Sequence, residues 1–500
     1  NEPWGGYIAL DVSTPGEPEL VFSIDSSSVF DGDRPYEQMG QSWGQPRLAK
    51  IEHNGVRKVV AFIGGGYDKN EDLRYGQNQN FPDVTADPTV PQQVDDAGVE
   101  SGAGKTSPGS IAPEDRLNPR GGAMYAVEIA QLQPTGPAGE FVPSFTESGK
   151  PVWAYDYEAG DTKRSHLVYP IASDLTVGDI NGDGYADAIY VGDTGGRLWR
   201  FKGTTLYDRN PANWEGDIIF DTNPGYQDFY AGDPKTLTTP TSDSSDVGRK
   251  IFYRPAVAII NKLPHLWFGT GDRSHPLNHA VVDRMYMVVD NGQTTDMEIN
   301  EKNLVDLTEN PLQQTGYDVP EIMSKLNFKK DSLPSGPNNE DDYYHGWMIK
   351  ANWDYTSTAT DKTSSVVGEK ILAAPVMFNN EAYFTTYTPL ANPNSGDPCA
   401  VGNLGTSRLY HLNALYGEAI FNYDLDNDEF LMLDLGSGNY KITFFPDRSG
   451  NQNLNVTLNG ISQMEQIEVK EFALQSIFEP SEALGTPTVG EKLVYVDGPD

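Results

Sequence analysis

Short apolar runs rich in Val, Ile and aromatic residues alternate with polar turns along most of the chain. The runs rarely continue long enough for a buried helix, and their β-branched and aromatic content is typical of strands. The 50 glycines and 35 prolines among 500 residues strengthen this interpretation, because both residue types interrupt helices and mark turns. The pattern therefore predicts an all-β fold with many loops.

A two-part module of strands recurs along the chain. Its first part is an alternating apolar stretch, a polar turn and an apolar run that ends near Gly or Thr, and its second part is a short apolar strand. The copies lie at residues 46–67 with 124–128, 175–192 with 197–201, 255–271 with 284–290, and 375–385 with 408–413. Recurrence of such a unit predicts the radial blades of a β-propeller, since the strands of a sandwich do not usually repeat as one motif.

The two ends of the chain complete this pattern. Residues 487–496 (PTVGEKLVYV) form a first half without a second, and residues 6–11 (GYIALD) form a second half without a first. Paired, they make a fifth visible blade and close the ring without free sheet edges. We therefore predict one β-propeller domain over residues 1–500, with one or two weaker blades within 205–250 and 430–480.

Two long polar segments separate the modules, at about residues 68–120 and 292–344. Loops of this length within a compact domain are usually functional or mobile. We expect both insertions to be surface excursions that are available for contact with partners.

The segment 179–187 (DINGDGYAD) places oxygen-bearing residues at alternate positions around a glycine. With Asp179 as position one, side-chain oxygens fall at positions one, three, five and nine, and a backbone carbonyl is offered at position seven. Ca²⁺ is a hard cation that takes six to eight oxygen ligands, so a sharply folded loop with closely spaced acids suits it. The predicted ligands are Asp179, Asn181, Asp183, the carbonyl of Tyr185, and Asp187.

Two features distinguish this loop from an EF-hand. Position twelve, where an EF-hand has its bidentate Glu, is Tyr190, and strand-forming residues stand on both sides of the loop. We therefore expect the loop to join two strands. With no bidentate Glu and with one neutral Asn, the expected dissociation constant for calcium is about 10⁻⁵ to 10⁻³ M. The alternative is an acidic, glycine-rich hairpin without an ion.

The charge balance limits the partners. The chain carries 36 basic and 72 acidic residues, a formal net charge of −36, which opposes binding to nucleic acid or an anionic membrane because both need a basic footprint. Cations or basic protein surfaces suit this charge better, and the excess of acids serves equally well for solvation in a salty or exposed environment. No apolar run approaches the roughly 18 residues of a membrane-spanning helix, so we expect no membrane span.

Other candidate chemistry is weaker. The only cysteine, Cys399, opposes a disulfide framework and cysteine-built metal sites, and it is either a buried thiol or half of a bridge to another segment. The stretch from Asp424 to Asp428 has acids at alternate positions, but Glu429 replaces the glycine of the ion loop, which makes it a poor second calcium site. Asp174 and Asp193 flank the main loop, and their sequence context leaves their role open.

Aromatic residues and histidines are expected to serve the fold. The tryptophans that we assign to the blade core are Trp43, Trp199, Trp267 and Trp347. The histidines lack the spacing of a zinc site, and those assigned to loops are His265, His275 and His279. No Ser, His and Asp stand in the context of a nucleophile elbow, so no catalytic triad is predicted.

The order of several motifs resembles the carboxy-terminal propeller of the PilY-type type IV pilus biogenesis factors and tip adhesins. The motifs are GQSWGQP at 40–46, GGGY at 64–67, the acidic loop at 179–187, GDTGGRLWRF at 192–201, FGTG at 268–271 and LYHLNALYG at 409–417. No single motif is decisive, and the resemblance rests on their sequence along most of the chain.

The resemblance implies a modified, seven-bladed propeller, exported to the cell surface and carried at the pilus tip with minor pilins. In that family the calcium loop is linked to control of pilus extension and retraction, and the protein to surface attachment. The first, second, third and last side-chain ligands carry over to Asp179, Asn181, Asp183 and Asp187, where Asn181 replaces a more usual Asp and predicts weaker binding. An amino-terminal region precedes the propeller in the family, and its absence here agrees with the start at Asn1.

The resemblance predicts a protein that is not an enzyme. Attachment to a host or to an abiotic surface stays open, and no Arg-Gly-Asp tripeptide supports attachment through integrins. One alternative is a propeller enzyme of the quinone-dependent dehydrogenase type, whose pocket typically shows adjacent cysteines that a single cysteine does not supply. A carbohydrate-binding propeller is the other alternative.

Overall fold

The structure of the protein, a computed structural model, describes residues 5–68, 120–134, 141–223, 248–326, 345–351, 367–389, 405–420, 432–434, 440–444 and 454–458, with gaps at 15, 159, 206–207, 280, 296–298, 309–310 and 313–316. Nearly all regular structure in these ranges is β, which confirms the predicted all-β class. The one α-helix of the described part is α1 (Val319–Leu326), and short 3-10 turns lie at Arg164–His166, Pro211–Asn213 and Glu301–Asn303. None of these helices combines the length and the apolar character needed to cross a bilayer.

The strands form six separate sheets in the described residues. Sheet 1 contains β1 (Gly6–Asp11) and β2 (Glu19–Asp25), and sheet 2 contains β3 (Arg47–His53), β4 (Val56–Gly64), β5 (Ala123–Pro134), β6 (Phe141–Ser144) and β7 (Pro151–Asp156). Sheet 3 contains β8 (Leu175–Gly178), β9 (Ala188–Gly192), β10 (Arg197–Lys202) and β11 (Glu215–Asp221).

The later sheets follow in chain order. Sheet 4 contains β12 (Ala256–Ile260), β13 (Leu263–Gly269), β14 (Arg284–Val289), β15 (Val305–Asp306) and β16 (Gly346–Lys350). Sheet 5 contains β17 (Lys370–Ile371), β18 (Val376–Phe378), β19 (Glu381–Pro389), β20 (Gly405–Asn413) and β21 (Met432–Asp434). Sheet 6 contains β22 (Tyr440–Phe444) and β23 (Leu454–Leu458). The strands of each of the four modules found in the sequence therefore lie within one sheet, from sheet 2 to sheet 5, and pair in antiparallel there.

Consecutive sheets pack face to face from sheet 1 to sheet 5. Strand β9 is an unbroken apolar run because both of its faces are buried. Ile189 and Val191 pack toward sheet 2, and Ala188 and Tyr190 pack toward sheet 4. Side chains of a strand alternate between its two faces, so a strand between two neighbouring sheets is apolar on both. Sheets 4 and 5 share a further core, and sheet 1 packs on sheet 2. This serial packing is the arrangement expected for blades.

Ring closure and the number of blades stay predictions. Strand β1 pairs with β2 over its whole length, a hairpin that the sequence analysis did not anticipate. The segment 487–496, which was predicted to pair with β1, lies outside the described residues.

The first part of the second insertion, 292–344, is not the surface excursion that was expected, because it packs against sheet 4. Leu304, Val305 and Leu307 are buried, and β15 pairs in parallel with β16 at the edge of sheet 4. This stretch extends sheet 4, because β15 pairs along its edge and brings apolar residues with it. Nearly all of the first insertion, residues 69–119, lies outside the described ranges.

The tryptophan prediction holds for the three residues within strands and less well for the fourth. Trp199, Trp267 and Trp347 are fully buried between sheets. Trp43 is only half-buried and stacks on Tyr67 with ring centroids 4.1 Å apart, outside any strand.

The assignment of His265 to a loop is wrong. His265 is buried within β13, and its Nδ1 lies 3.0 Å from the carbonyl oxygen of Leu263. The preceding Pro264 does not end the strand, because a proline near the first residue of a strand is tolerated. His275 and His279 do lie between β13 and β14, as expected.

Candidate metal centre

The acidic loop 179–187 connects β8 to β9, two antiparallel strands of sheet 3. Its base is closed by the pair Gly178 and Ala188 and by a hydrogen bond from the Asp187 N–H to the Gly178 carbonyl, 2.8 Å. The loop thus joins strands, as the sequence predicted. Gly182 and Gly184 have φ of 75° and 82°, a left-handed conformation that glycine adopts without steric cost and that folds the loop sharply.

The carboxylate of Asp179 organises the turn. Its Oδ1 accepts the N–H groups of Gly182 and Asp183, at 2.7 and 3.1 Å, and its Oδ2 accepts the N–H of Gly184 at 2.6 Å. These bonds wrap the backbone around the side chain, because Asp readily accepts hydrogen bonds from backbone groups a few residues further on.

The next two predicted ligands repeat this geometry. The N–H of Asp183 donates to Asn181 Oδ1 at 2.8 Å, and the N–H of Tyr185 donates to Asp183 Oδ1 at 2.9 Å. Asn181 Nδ2 also donates to Asp183 Oδ2 at 2.9 Å. The alternating residues Asp179, Asn181 and Asp183 are therefore brought together on the inner side of one turn.

Asp187 is the buried member of the set, with a relative exposure of 1%. Its Oδ2 accepts the N–H groups of Ile180 and Asn181, at 2.8 and 3.2 Å. Its Oδ1 is buried and has no hydrogen-bond partner in the described part of the chain. Burial raises the pKa of Asp187 above its ordinary value, against the effect of the two N–H donors. A buried carboxylate oxygen without a partner is unfavourable, and a bound cation would satisfy it.

The donor set suits a hard cation. It consists of three carboxylates, one amide oxygen and one backbone carbonyl, and calcium takes such mixed oxygen ligands together with water. No group of three or more His, Cys, Asp or Glu side chains among the described residues forms a ready metal site. The fit to calcium therefore rests on the type of donors, the turn that gathers them and the open oxygen of Asp187.

Two cations beside the loop were missed by the sequence analysis. Arg209 donates to Asp183 Oδ2 from Nε and Nη2, at 3.1 and 2.6 Å, and its guanidinium lies 4.5 Å from the centre of the Tyr185 ring. Lys50 accepts the N–H of Ala186 with its carbonyl at 2.9 Å, and its Nζ lies 5.5 Å from the Tyr185 ring centre. No local motif marks either residue, because both come from distant parts of the chain.

Hydrogen bonds set the protonation of Asp183. Burial acts to raise its pKa, but the hydrogen bonds from Arg209 and Asn181 outweigh this and hold the pKa below its ordinary value. Asp183 is therefore ionised and paired with a side chain of the protein.

The two flanking acids belong to the fold. Asp174 accepts the N–H of Gln45 at 2.8 Å and so ties sheet 3 to the segment before β3. Asp193 accepts the N–H of Arg197 at 2.9 Å and the indole N–H of Trp199 at 2.8 Å. The sequence left both roles open. The second acidic stretch, from Asp424 to Asp428, and Cys399 lie outside the described residues.

Among solved structures, the chain is similar to the C-terminal domain of PilY1 from Pseudomonas aeruginosa, with 15% identity, coverage of 92% of this chain and 78% of that chain, and a TM-score of 0.45. It is also similar to quinohemoprotein alcohol dehydrogenases from Pseudomonas putida and Comamonas testosteroni, with 11% and 12% identity and TM-scores of 0.27 and 0.26. Each of these two matches covers 68% of this chain, and 37% and 38% of the respective enzyme. The first of the three is a PilY-type domain, the kind of protein that the order of motifs indicated. No protein-family model matches the sequence, and a search of curated proteins found no match.

Proposed function

We propose that this chain is the calcium-binding domain of a type IV pilus biogenesis and adhesion factor that acts at the pilus tip on the cell surface. The order of motifs from residue 40 to residue 417 supports the pilus assignment. The proposed partners are minor pilins and a surface to which the pilus attaches. The proposed role is binding, without a catalytic step.

The open oxygen of Asp187 is the observation that carries the calcium assignment. Buried polar groups are normally hydrogen-bonded, and a cation bound in the loop would give this oxygen the partner that it lacks. Calcium bound by Asp179, Asn181, Asp183, Asp187 and the Tyr185 carbonyl would supply the positive charge that these acids share. Without it, like charges are crowded on one turn and repel one another.

The proposed consequence is a local switch. Loss of calcium loosens the connection between β8 and β9 through this repulsion, and partner surface beside the loop is lost with it. Control of pilus extension and retraction by calcium follows if minor pilins contact that surface. Hydrogen exchange across residues 175–190 should accelerate after chelation, and identical exchange with and without calcium would contradict the switch.

Titration calorimetry tests the ion itself. We expect the chelator-treated chain to bind one calcium with a dissociation constant of about 10⁻⁵ to 10⁻³ M. The double variant Asp179→Asn with Asp183→Asn should show no heat in this range, because it removes two of three ligand charges. Asp31→Asn is the matched control, since the side chain of Asp31 is 83% exposed and lies outside the loop. Absence of binding by the unaltered chain would end the proposal.

The pilus role is tested by capture of minor pilins on the immobilised chain, with calcium and with chelator. Calcium-dependent capture that the double variant loses is the expected result. Equal capture under all conditions would contradict a calcium-controlled contact. A bound quinone, seen by its absorbance in the purified protein, would contradict the non-catalytic role.

A further inference from the structure

Arg209 contacts two of the five residues in the proposed calcium site. It lies between β10 and β11 and pairs with the carboxylate of Asp183, while its guanidinium covers the ring of Tyr185. Asp183 Oδ2 thus has a cation of the protein as its partner, at the place where calcium would take up the same negative charge.

The backbone around Arg209 is fixed by its neighbours. Asp208 accepts the N–H of Asn210 at 3.0 Å and the side-chain amide of Asn213 at 3.0 Å, and its carbonyl accepts the indole N–H of Trp214 at 2.7 Å. The carbonyl of Arg209 accepts the N–H of Glu52 in β3 at 2.9 Å. The backbone of Arg209 is therefore anchored between sheet 3 and sheet 2.

A second acid offers Arg209 an alternative partner. Its Nη1 lies 4.0 Å from Oε2 of Glu52, whereas its Nη2 lies 2.6 Å from Oδ2 of Asp183. The side chains of both Arg209 and Glu52 are partly exposed, so a shift of the guanidinium from one acid to the other needs no rearrangement of the core.

We propose that Arg209 competes with calcium for Asp183 and in this way sets the calcium affinity of the loop. When calcium occupies the site, the guanidinium moves toward Glu52, so that occupancy is communicated to β3 of the neighbouring sheet. The inference rests on the proposed calcium site, and it adds a residue that no feature of the loop sequence indicates.

The sign of the effect follows from charge. A guanidinium held a few ångströms from a divalent cation repels that cation. Arg209 must also release Asp183 before both oxygens of this carboxylate are available to calcium. Removal of the arginine charge should therefore tighten calcium binding by about 3- to 10-fold at low salt, with a smaller effect at high salt. Removal of Glu52 should weaken calcium binding, because the displaced guanidinium loses its second partner.

Calorimetric titration with calcium chloride tests this on the full chain. Arg209→Gln is expected to bind calcium about 3- to 10-fold more tightly than the unaltered chain at low ionic strength. Arg209→Lys keeps the charge and should stay close to the unaltered affinity. Arg34→Gln is the matched control, because Arg34 is exposed and donates only to the Ser26 carbonyl outside the loop.

The outcomes separate the two proposals. If the unaltered chain binds calcium and Arg209→Gln binds it with equal or lower affinity, the competition alone is overturned. Absence of calcium binding in every variant would overturn the calcium site and the competition together. Glu52→Gln supplies a second variant if Arg209→Gln does not fold, and an affinity that is unchanged or higher in Glu52→Gln would contradict the proposed transfer of the guanidinium.

Discussion

Asp187 and Asp193 stand at the two ends of strand β9, and both are buried, yet their carboxylates are used differently. Both oxygens of Asp193 accept N–H donors of the same turn, from Arg197 and Trp199. Only one oxygen of Asp187 is satisfied, by the N–H groups of Ile180 and Asn181.

The difference separates a structural acid from a candidate ligand. The Asp193 side chain has both oxygens paired inside the protein, and it fixes the tryptophan that fills the core beside it. A carboxylate with one open, buried oxygen would be stabilised by an external cation. Similar local sequences, each with Asp and Gly at a turn, thus differ in how far the protein pairs their carboxylate oxygens.

The pH dependence of stability offers the largest expected contrast. Burial raises the pKa of Asp193 from 3.8 to about 7, despite the nearby Arg197 and the N–H donors. The folded chain then keeps a proton that the unfolded chain has lost, so this group's contribution to the free energy of unfolding falls as the pH rises from about 4 to about 7. Asp193→Asn should lack this fall. The free energy of unfolding of the variant minus that of the unaltered chain should therefore increase by up to about 4 kcal/mol as the pH rises from about 4 to about 7. Urea unfolding of both proteins in chelator at several pH values measures this difference. Plots of the free energy of unfolding against pH that run parallel for the two proteins would contradict the prediction.

Trp199→Phe breaks the internal pairing of Asp193 without touching the loop. The change leaves Asp193 Oδ2 without its indole donor and opens space in the core shared by sheets 2 and 3. We expect a loss of about 2 to 3 kcal/mol in the free energy of unfolding. The calcium affinity, measured by calorimetry on the same sample, should not change, and a large change would show that the two ends of β9 are not independent.

Asp187→Asn is expected to do the opposite of Trp199→Phe: it should weaken calcium binding without lowering stability. The amide oxygen continues to accept the N–H groups of Ile180 and Asn181, while the buried charge disappears. Calcium binding should weaken by about 10-fold or more, equivalent to about 1.4 kcal/mol. Stability in chelator should stay equal or rise, because no buried carboxylate is left without a counter-charge. A clear loss of stability in chelator would place Asp187 with Asp193 among the structural acids.

Of the four substitutions, Asn181→Asp is expected to have the smallest effect, and that effect is on the affinity for calcium. It restores a fourth carboxylate to the ligand set and should tighten calcium binding by about 3-fold. The same change should lower stability in chelator slightly, since another like charge joins the turn. Calorimetry and unfolding of the variant measure both effects, and unchanged affinity would argue against Asn181 as a ligand.

Much of the fold was predictable because most of its strands are short apolar runs bounded by turns. Strand β9 is buried on both faces and reads directly as an apolar run, and the loop before it carries its ligand spacing within nine residues. Such local signals need no knowledge of which sheets become neighbours.

Features that depend on distant contacts were not predictable. Arg209 follows Asp183 by 26 positions and reaches it only because sheet 3 brings the β10–β11 connection beside the loop. Lys50 reaches the loop only because sheet 2 packs on sheet 3. His265 lies in a strand although a proline precedes it, because the apolar run Leu266 to Phe268 continues the strand and packs in the core.

A crystal structure of the chain grown with calcium, with anomalous scattering to identify the ion, is the decisive test of the calcium site. We expect one calcium in the loop at about 2.3 to 2.6 Å from the side-chain oxygens of Asp179, Asn181, Asp183 and Asp187 and from the Tyr185 carbonyl. A loop without an ion at millimolar calcium, or an ion that leaves Asp187 Oδ1 uncoordinated, would contradict it.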